Sequence, residues 1–147
     1  MELNFRRITS RDIEVVASYA IEGMQPGLYP LHVDRAKVRA VIGAFVEPSH
    51  DHFQLAAFVG DKMVGGIAAA VMPLLFFERC EAHVVMCRAT LPGAGLRLLR
   101  ALRQWADADM RIRRVVWPIE FHADPRIAKM AARAGFSNQL TVATYYK

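Results

Sequence analysis

Cysteine is almost missing from this chain: Cys80 and Cys87 are the only two in 147 residues. They lack CxxC spacing and no histidine cluster joins them, so they give no basis for a structural zinc site, and no metal is expected. Two buried thiols are the reading favoured here. Long apolar runs are missing as well. No stretch reaches the roughly 18 residues that a membrane helix needs. The longest apolar segment, Met63 to Phe77, is interrupted by Gly65, Gly66 and Pro73. The opening MELNFRRITSRDIE carries charge where a secretory signal needs its apolar segment. A cytoplasmic protein with no membrane partner is the expectation. Lysine is the third scarcity, with 4 residues against 15 arginines.

What is present suits one folded domain over residues 1–147. A 54% hydrophobic composition fills a core, and the length is that of a single ordinary domain. There is no repeat, low-complexity tract or linker. The net charge of +5 is unevenly spread. Residues 1–87 hold 8 basic and 10 acidic side chains, whereas residues 88–133 hold 10 basic and 4 acidic ones. Arginine's fork of donors suits phosphate oxygens, but a phosphate ligand, an RNA and a solvated face all fit the skew. Nucleic acid is the less favoured partner, because Trp105 and Trp117 form no stacking ladder between basic positions.

The periodicity gives an element order. Asn4 to Ile8 reads as a strand. Thr9, with Asp12 three residues on, caps a helix whose apolar side is Ile13, Val16, Ala17, Ala20 and Ile21. GMQPGLYP is a loop. Asp34 starts a second helix bearing Val38, Val41, Ile42 and Phe45. Phe53–Val59 and Met63–Met72 read as a hairpin around a GDK turn. Phe76–Cys87 reads as a strand with Glu81, His83, Val85 and Cys87 on one face and Ala82, Val84 and Met86 on the other. A helix over Gly95–Ala108 buries Leu98, Leu99, Leu102, Trp105 and Ala106. A strand over Arg113–Ile119 follows. A helix opened by Asp124-Pro125 and closed by Gly135 comes next, and a last strand spans Gln139–Tyr146. The fold class is α/β (α+β), with a mixed, mostly antiparallel sheet flanked by helices.

The most informative stretch is VVMCRATLPGAGLRLLRALRQWA, residues 84–106. A strand runs into Pro92-Gly93-Ala94-Gly95 and a helix begins at once. The first helical turn leaves about four amides unpaired, and their dipoles favour an anion. A plain strand-to-helix turn accounts for the same residues. Two better-known phosphate loops are excluded, since Leu96-Arg97 replaces the Lys-Ser/Thr of a P-loop and Leu98 fills the last glycine position of GxGxxG.

On these residues, and over Asn4 to Tyr146, the chain resembles the acyl-CoA-dependent N-acetyltransferases of the GNAT superfamily. Pro92-Gly93-Ala94-Gly95-Leu96-Arg97 is similar to that superfamily's Arg/Gln-Gly-x-Gly-Ile-Gly loop. DPRIAKMAARAGF is similar to its late Asn-x-x-Ala-x-x-x-Tyr-x-Lys-x-Gly-Phe segment. The aromatic end TYYK resembles the phage-encoded acyltransferase-like members. The chain departs from the pattern at Pro92, Arg97, Asp124 and Ala131, the last standing where a tyrosine acid is often placed.

The resemblance implies a GNAT-like acyl-CoA N-acyltransferase fold. It implies acetyl-CoA as cosubstrate and an amine of a small molecule or protein as acceptor. Backbone partners for the pantetheine arm fall at Val85 and Cys87. The pyrophosphate falls on Gly93, Ala94, Gly95, Leu96, Arg97 and Leu98, with any side chain added at Gly95 facing it. Arg97 either crowds the phosphates or pairs with them. Glu81 and His83 are the candidate bases, each also readable as a satisfied sheet residue, with Arg79 or Arg88 as partner for Glu81. Tyr145 is the candidate acid. A catalytically degenerate binding protein of the same fold stays open, as does homodimerisation. Leu74 to Phe77 is read as core, acceptor site or dimer contact.

Overall fold

The computed structural model describes residues 2–24, 32–119 and 124–137. The elements are β1 (Asn4–Arg6), a 3-10 turn (Ser10–Asp12), α1 (Ile13–Gly23), α2 (Arg35–Val46), β2 (His52–Val59), β3 (Lys62–Pro73), β4 (Cys80–Ala89), α3 (Ala94–Ala108), β5 (Ile112–Val116) and α4 (Pro125–Arg133). The loop through Pro26 and Pro30 and the strand expected at Gln139–Tyr146 lie outside the described residues.

The described strands form one sheet in the order β1-β2-β3-β4-β5. All pairs are antiparallel except β4 with β5. That single parallel pair follows from its connection, because α3 carries the chain back across the sheet before β5 begins. The fold class expected from the sequence is the one observed.

Small residues in β3 set how closely the helices approach. A Cβ built on Gly65 would lie 3.1 Å from Leu98 Cδ1 and 3.5 Å from Ala94 Cβ. α3 therefore sits directly on the strand, and Leu98, Leu99 and Leu102 are fully buried against Ile67, Ala69 and Val84. Burying each such leucine is worth about 1.5–3 kcal/mol. On the opposite face, Val16, Ala17 and Tyr19 of α1 and Ile42 of α2 pack on Ala56, Phe58 and Met63. Among the described residues no helix is long and apolar enough to cross a membrane.

Three expected boundaries move. β1 stops at Arg6, because the Gln54 side chain takes over as strand partner: its Oε1 accepts from Ile8 N at 2.9 Å and its Nε2 donates to Ile8 O at 3.2 Å. β5 ends at Val116, and Trp117 to Ile119 run on without ladder bonds. β4 begins at Cys80, not Phe76. Leu74 to Arg79 form a turn closed by Leu74 N to Arg79 O at 3.3 Å, and Leu75, Phe76 and Phe77 stand 90%, 89% and 73% exposed. The core reading of that patch is overturned. Six further residues to Arg79 give the hairpin its turn, and apolarity alone did not mark it.

The expected capping box of Thr9 and Asp12 forms. Asp12 accepts from Thr9 N at 2.7 Å and from its hydroxyl at 2.9 Å, and takes a two-point contact from Arg6 at 2.8 Å. The Arg6 guanidinium, ahead of the Thr9 bonds and against the opposing effect of burial, holds the Asp12 carboxyl well below the usual carboxylate range. A depressed carboxyl contributes stability that is present above its unfolded value near 4 and lost as pH falls toward the folded value. Asp12→Asn should cost about 1–2 kcal/mol at pH 7, a figure kept low by solvent around Arg6. The difference between the two proteins should narrow at pH 3. Urea unfolding at both pH values checks it.

Candidate functional site

β4 cannot stay regular along its length. Ala69 pairs with Val84, and the preceding Ala68 pairs with Met86, so Val85 is an extra residue bulged out of the ladder. Val85 is 55% exposed. The bulge reverses the alternation beyond it. Cys87 packs with Val84 on the α3 side, whereas Met86 packs toward α1 and α2. The expected common face for Glu81, His83, Val85 and Cys87 is therefore corrected: Cys87 faces away from the side its strand position implied.

β5 departs at the same place. Its pairing with β4 ends at His83 opposite Val116. From Val84 onward the β5 side of β4 has no strand beside it among the described residues. A groove of about 1060 Å³ opens there, bounded by Cys87 to Gly93, Trp117, Ile127 and Met130 and continuing beneath α1 and α2.

At the head of this groove the chain turns into α3. Gly93 has φ +84°, a left-handed conformation that glycine adopts without strain, and a Cβ there would meet nothing within 4 Å. No side chain caps the helix. The amide of Ala94 is spent on Leu91 O at 3.3 Å and that of Arg97 on Gly93 O at 3.4 Å. Leu98, the fifth helical residue, donates within the helical ladder. The amides of Gly95 and Leu96 make no turn or cap bond among the described residues. Of the six positions expected to hold a diphosphate, these two and Gly93, whose amide makes no such bond either, supply the open donors.

The two glycines do different work. Gly95 was expected to leave space for the ligand, but its bare face lies under α4: a Cβ would fall 2.5 Å from Met130 Sδ and 3.4 Å from Ala89 Cβ. Gly95 is a packing glycine on its bare face, whereas a Cβ at Gly93 would stand in open space; both residues line the groove. Arg97 neither blocks nor lines the groove. Its guanidinium lies 4.1 Å over the Phe5 ring of β1, a cation–π contact that draws it away from the corner.

Glu81 and His83 do come together. Glu81 Oε1 lies 2.6 Å from His83 Nε2, and Glu81 Oε2 accepts from Arg114 Nε at 2.6 Å. Arg114 is the partner, rather than Arg79 or Arg88; those two bond Met110 O and Tyr19 O. The bond from His83, with Arg114 second to it and burial opposing, lowers the Glu81 carboxyl below its ordinary value. Glu81 is thus an ionised acceptor already in use. Neither residue lines the groove; roughly 7 Å of strand separates His83 from Val85. Tyr145 lies outside the described residues. Ala131 is buried at 5% exposure in α4. Asp124 caps α4, accepting from Arg126 N at 2.9 Å.

Sequence reasoning missed two residues. Arg88 lines the groove, and its guanidinium lies 4.3 Å over the Tyr19 ring. Arg126 lines it from α4. Their positions in a basic segment were visible, but the contact with α1 that orients Arg88 depends on tertiary packing. Arg97, Arg103, Arg111 and Arg114 engage Phe5, Ala134 O, Asp51 with Asp109, and Glu81. The basic half is largely consumed within the fold.

No protein-family model matches the chain, and no curated protein matches it. Solved structures do. Glucosamine-6-phosphate N-acetyltransferase from Arabidopsis thaliana has a TM-score of 0.76 at 11% identity over 99% of both chains. A possible acetyltransferase from Clostridium difficile 630 has a TM-score of 0.71 at 12% identity, covering 100% of this chain and 99% of the other. AAC(6')-Iy in complex with the bisubstrate analogue CoA-S-monomethyl-acetylneamine has a TM-score of 0.71 at 16% identity, covering 100% and 99%. The chain has the GNAT acetyltransferase fold.

Burial pushes the Cys87 thiol up to about 12. In a Cys80→Ser background, Cys87 should react with a thiol reagent at pH 8 at least about a hundredfold more slowly in native than in urea-unfolded protein. Equal rates would place Cys87 on the open side of β4.

Proposed function

We propose that the chain is an acyl-CoA-dependent N-acyltransferase, with acetyl-CoA as the simplest donor and an amine as acceptor. The observation that carries this reading is the uncapped start of α3, with the amides of Gly93, Gly95 and Leu96 open, beside a groove formed where β4 and β5 part. A diphosphate suits this corner, because no side chain caps the open amides and the helix dipole favours its charge. Arg88 adds positive charge along the wall, while Arg126 is paired with Asp124. The exposed β4 edge offers the N–H and C=O groups that an amide-bearing pantetheine arm needs, with Val85 and Cys87 as the backbone positions. The AAC(6')-Iy complex supports the assignment at the level of a shared fold.

In the reaction the amine nitrogen bonds the thioester carbon and the C–S bond breaks. A backbone amide at the Val85 bulge stabilises charge developing on the carbonyl oxygen. His83, which lies outside the groove, accepts the amine's proton through water, and Glu81 fixes the imidazole. Glu81 is the positioning residue of the pair, since its lowered carboxyl makes it the poorer base. Tyr145 remains the proposed proton donor to the leaving thiolate. The buried Ala131 favours a second reading: a fold that binds CoA without turnover, because it removes one hydroxyl from the site.

Calorimetric titration with CoA should show saturable binding. Pro92→Glu, which sets a carboxylate beside the open amides on an exposed turn, should weaken it about tenfold or more. No binding to folded protein at millimolar CoA overturns the proposal. With an amine panel and acetyl-CoA, His83→Ala should lower kcat by about 10²–10⁴-fold and Glu81→Gln by less. CoA binding without any turnover selects the second reading.

A further inference from the structure

β5 carries two arginines in a row, and its register decides which of them meets β4. Cys80 pairs with Ile112, but Glu81 pairs with Arg114, so the ladder steps over Arg113. Beyond that step Ala82 lies opposite Val115, and His83 opposite Val116. Val115 packs into the core with Val84 and Leu98. Alternation then sends Arg114 to the other face of the sheet, beside Glu81 and His83. The step at Arg113 thus selects Arg114 as the partner.

Glu81 is the middle member of a chain of three. Its Oε1 meets His83 Nε2 and its Oε2 meets Arg114 Nε, each at 2.6 Å. The Glu81 side chain is 13% exposed, so solvent does little to weaken either contact, whereas Arg114 is 54% exposed and anchors no core. Since Glu81 is an ionised acceptor, the ring donates to it through Nε2–H, and the lone pair is left at Nδ1. A carboxylate acting alone on an imidazole strongly favours the imidazolium. A guanidinium on its second oxygen offsets much of that pull. On β3 the residues opposite Glu81 and His83 are Met72 and Ala70, neither of them charged. Along β4, Arg79 and Arg88 bond Met110 O and Tyr19 O instead. Among the described residues, Arg114 is therefore the cation in contact with Glu81.

We propose that Arg114 is a positioning residue of the acyltransferase: by engaging the second oxygen of Glu81, it loosens that carboxylate's hold on the His83 proton and leaves Nδ1 open to receive the proton of the amine. The proposal rests on the acyltransferase reading with His83 as base, and names what regulates that base. Arg114 acts through Glu81 and touches no reacting atom.

The test is a pH titration of the His83 ring C–H resonance by NMR, in protein without substrate. Arg114→Gln should make the ring bind its proton about tenfold more tightly than in the unsubstituted protein. Arg114→Lys, which keeps a positive charge there, should show a smaller change. Arg113→Gln removes the same charge one residue away, and should change proton binding by less than about twofold. With acetyl-CoA and a turned-over amine, the acid limb of kcat/KM should move to higher pH by the same factor in Arg114→Gln, while KM for acetyl-CoA holds. Unchanged proton binding in Arg114→Gln overturns the proposal and leaves the acyltransferase reading intact. An equal change in Arg113→Gln also overturns it, by making the effect one of net charge rather than of the contact. The expected ring titration with no turnover of any amine sinks the acyltransferase reading, and with it the positioning role.

Discussion

The site depends on one constraint: β4 must pair with β3 for its whole length and with β5 for only part of it. The bulge at Val85 and the end of β5 at Val116 fall within a few residues of each other. Together they leave a stretch of strand edge without a partner strand among the described residues, where backbone groups ordinarily satisfy one another. An opening of this kind invites a ligand with its own amides. The same irregularity carries the groove through the sheet, so one cavity touches helices on both faces.

Close packing around that opening is arranged with small residues. Gly65 lets α3 down onto β3, and Gly95 lets α4 close over the first turn of α3. Gly93 supplies the left-handed residue that starts the helix without a capping side chain. The absence of a cap matters, since a Ser or Asp at that position would occupy the amides a ligand needs. Arg97, the most conspicuous departure from the usual loop, is held on Phe5 of β1. A long cation is thus accommodated at the loop's edge without closing it.

Much of the fold was legible from periodicity and punctuation. The leucine stripe of α3, the Asp124-Pro125 start of α4 and the hairpin of β2 with β3 all rest on local signals, and each appears where the pattern put it. Gly135 likewise takes φ +96° after α4, and Phe136 returns to pack on Trp117. Gly93 and Gly95 were visible as a pair, but which one packs under α4 depends on Met130, 35 positions beyond Gly95 along the chain. The bulge at Val85 was not legible at all. It arises from register against β3, and strict alternation assigned Cys87 to the wrong face. Glu81 and His83 were correctly placed side by side by their spacing, while the partner that fixes Glu81, Arg114, comes from a strand paired through tertiary contact.

The central claim is that bare amides at the start of α3 receive a diphosphate. Amide NMR of the ¹⁵N-labelled protein, titrated with CoA, tests it most directly. The account predicts that the Gly93, Gly95 and Leu96 amides shift most, with smaller changes from Val85 to Arg88, and that the Leu98 amide moves little. Saturating CoA that leaves Gly93, Gly95 and Leu96 unmoved, or shifts confined to the exposed face of α2, would contradict it.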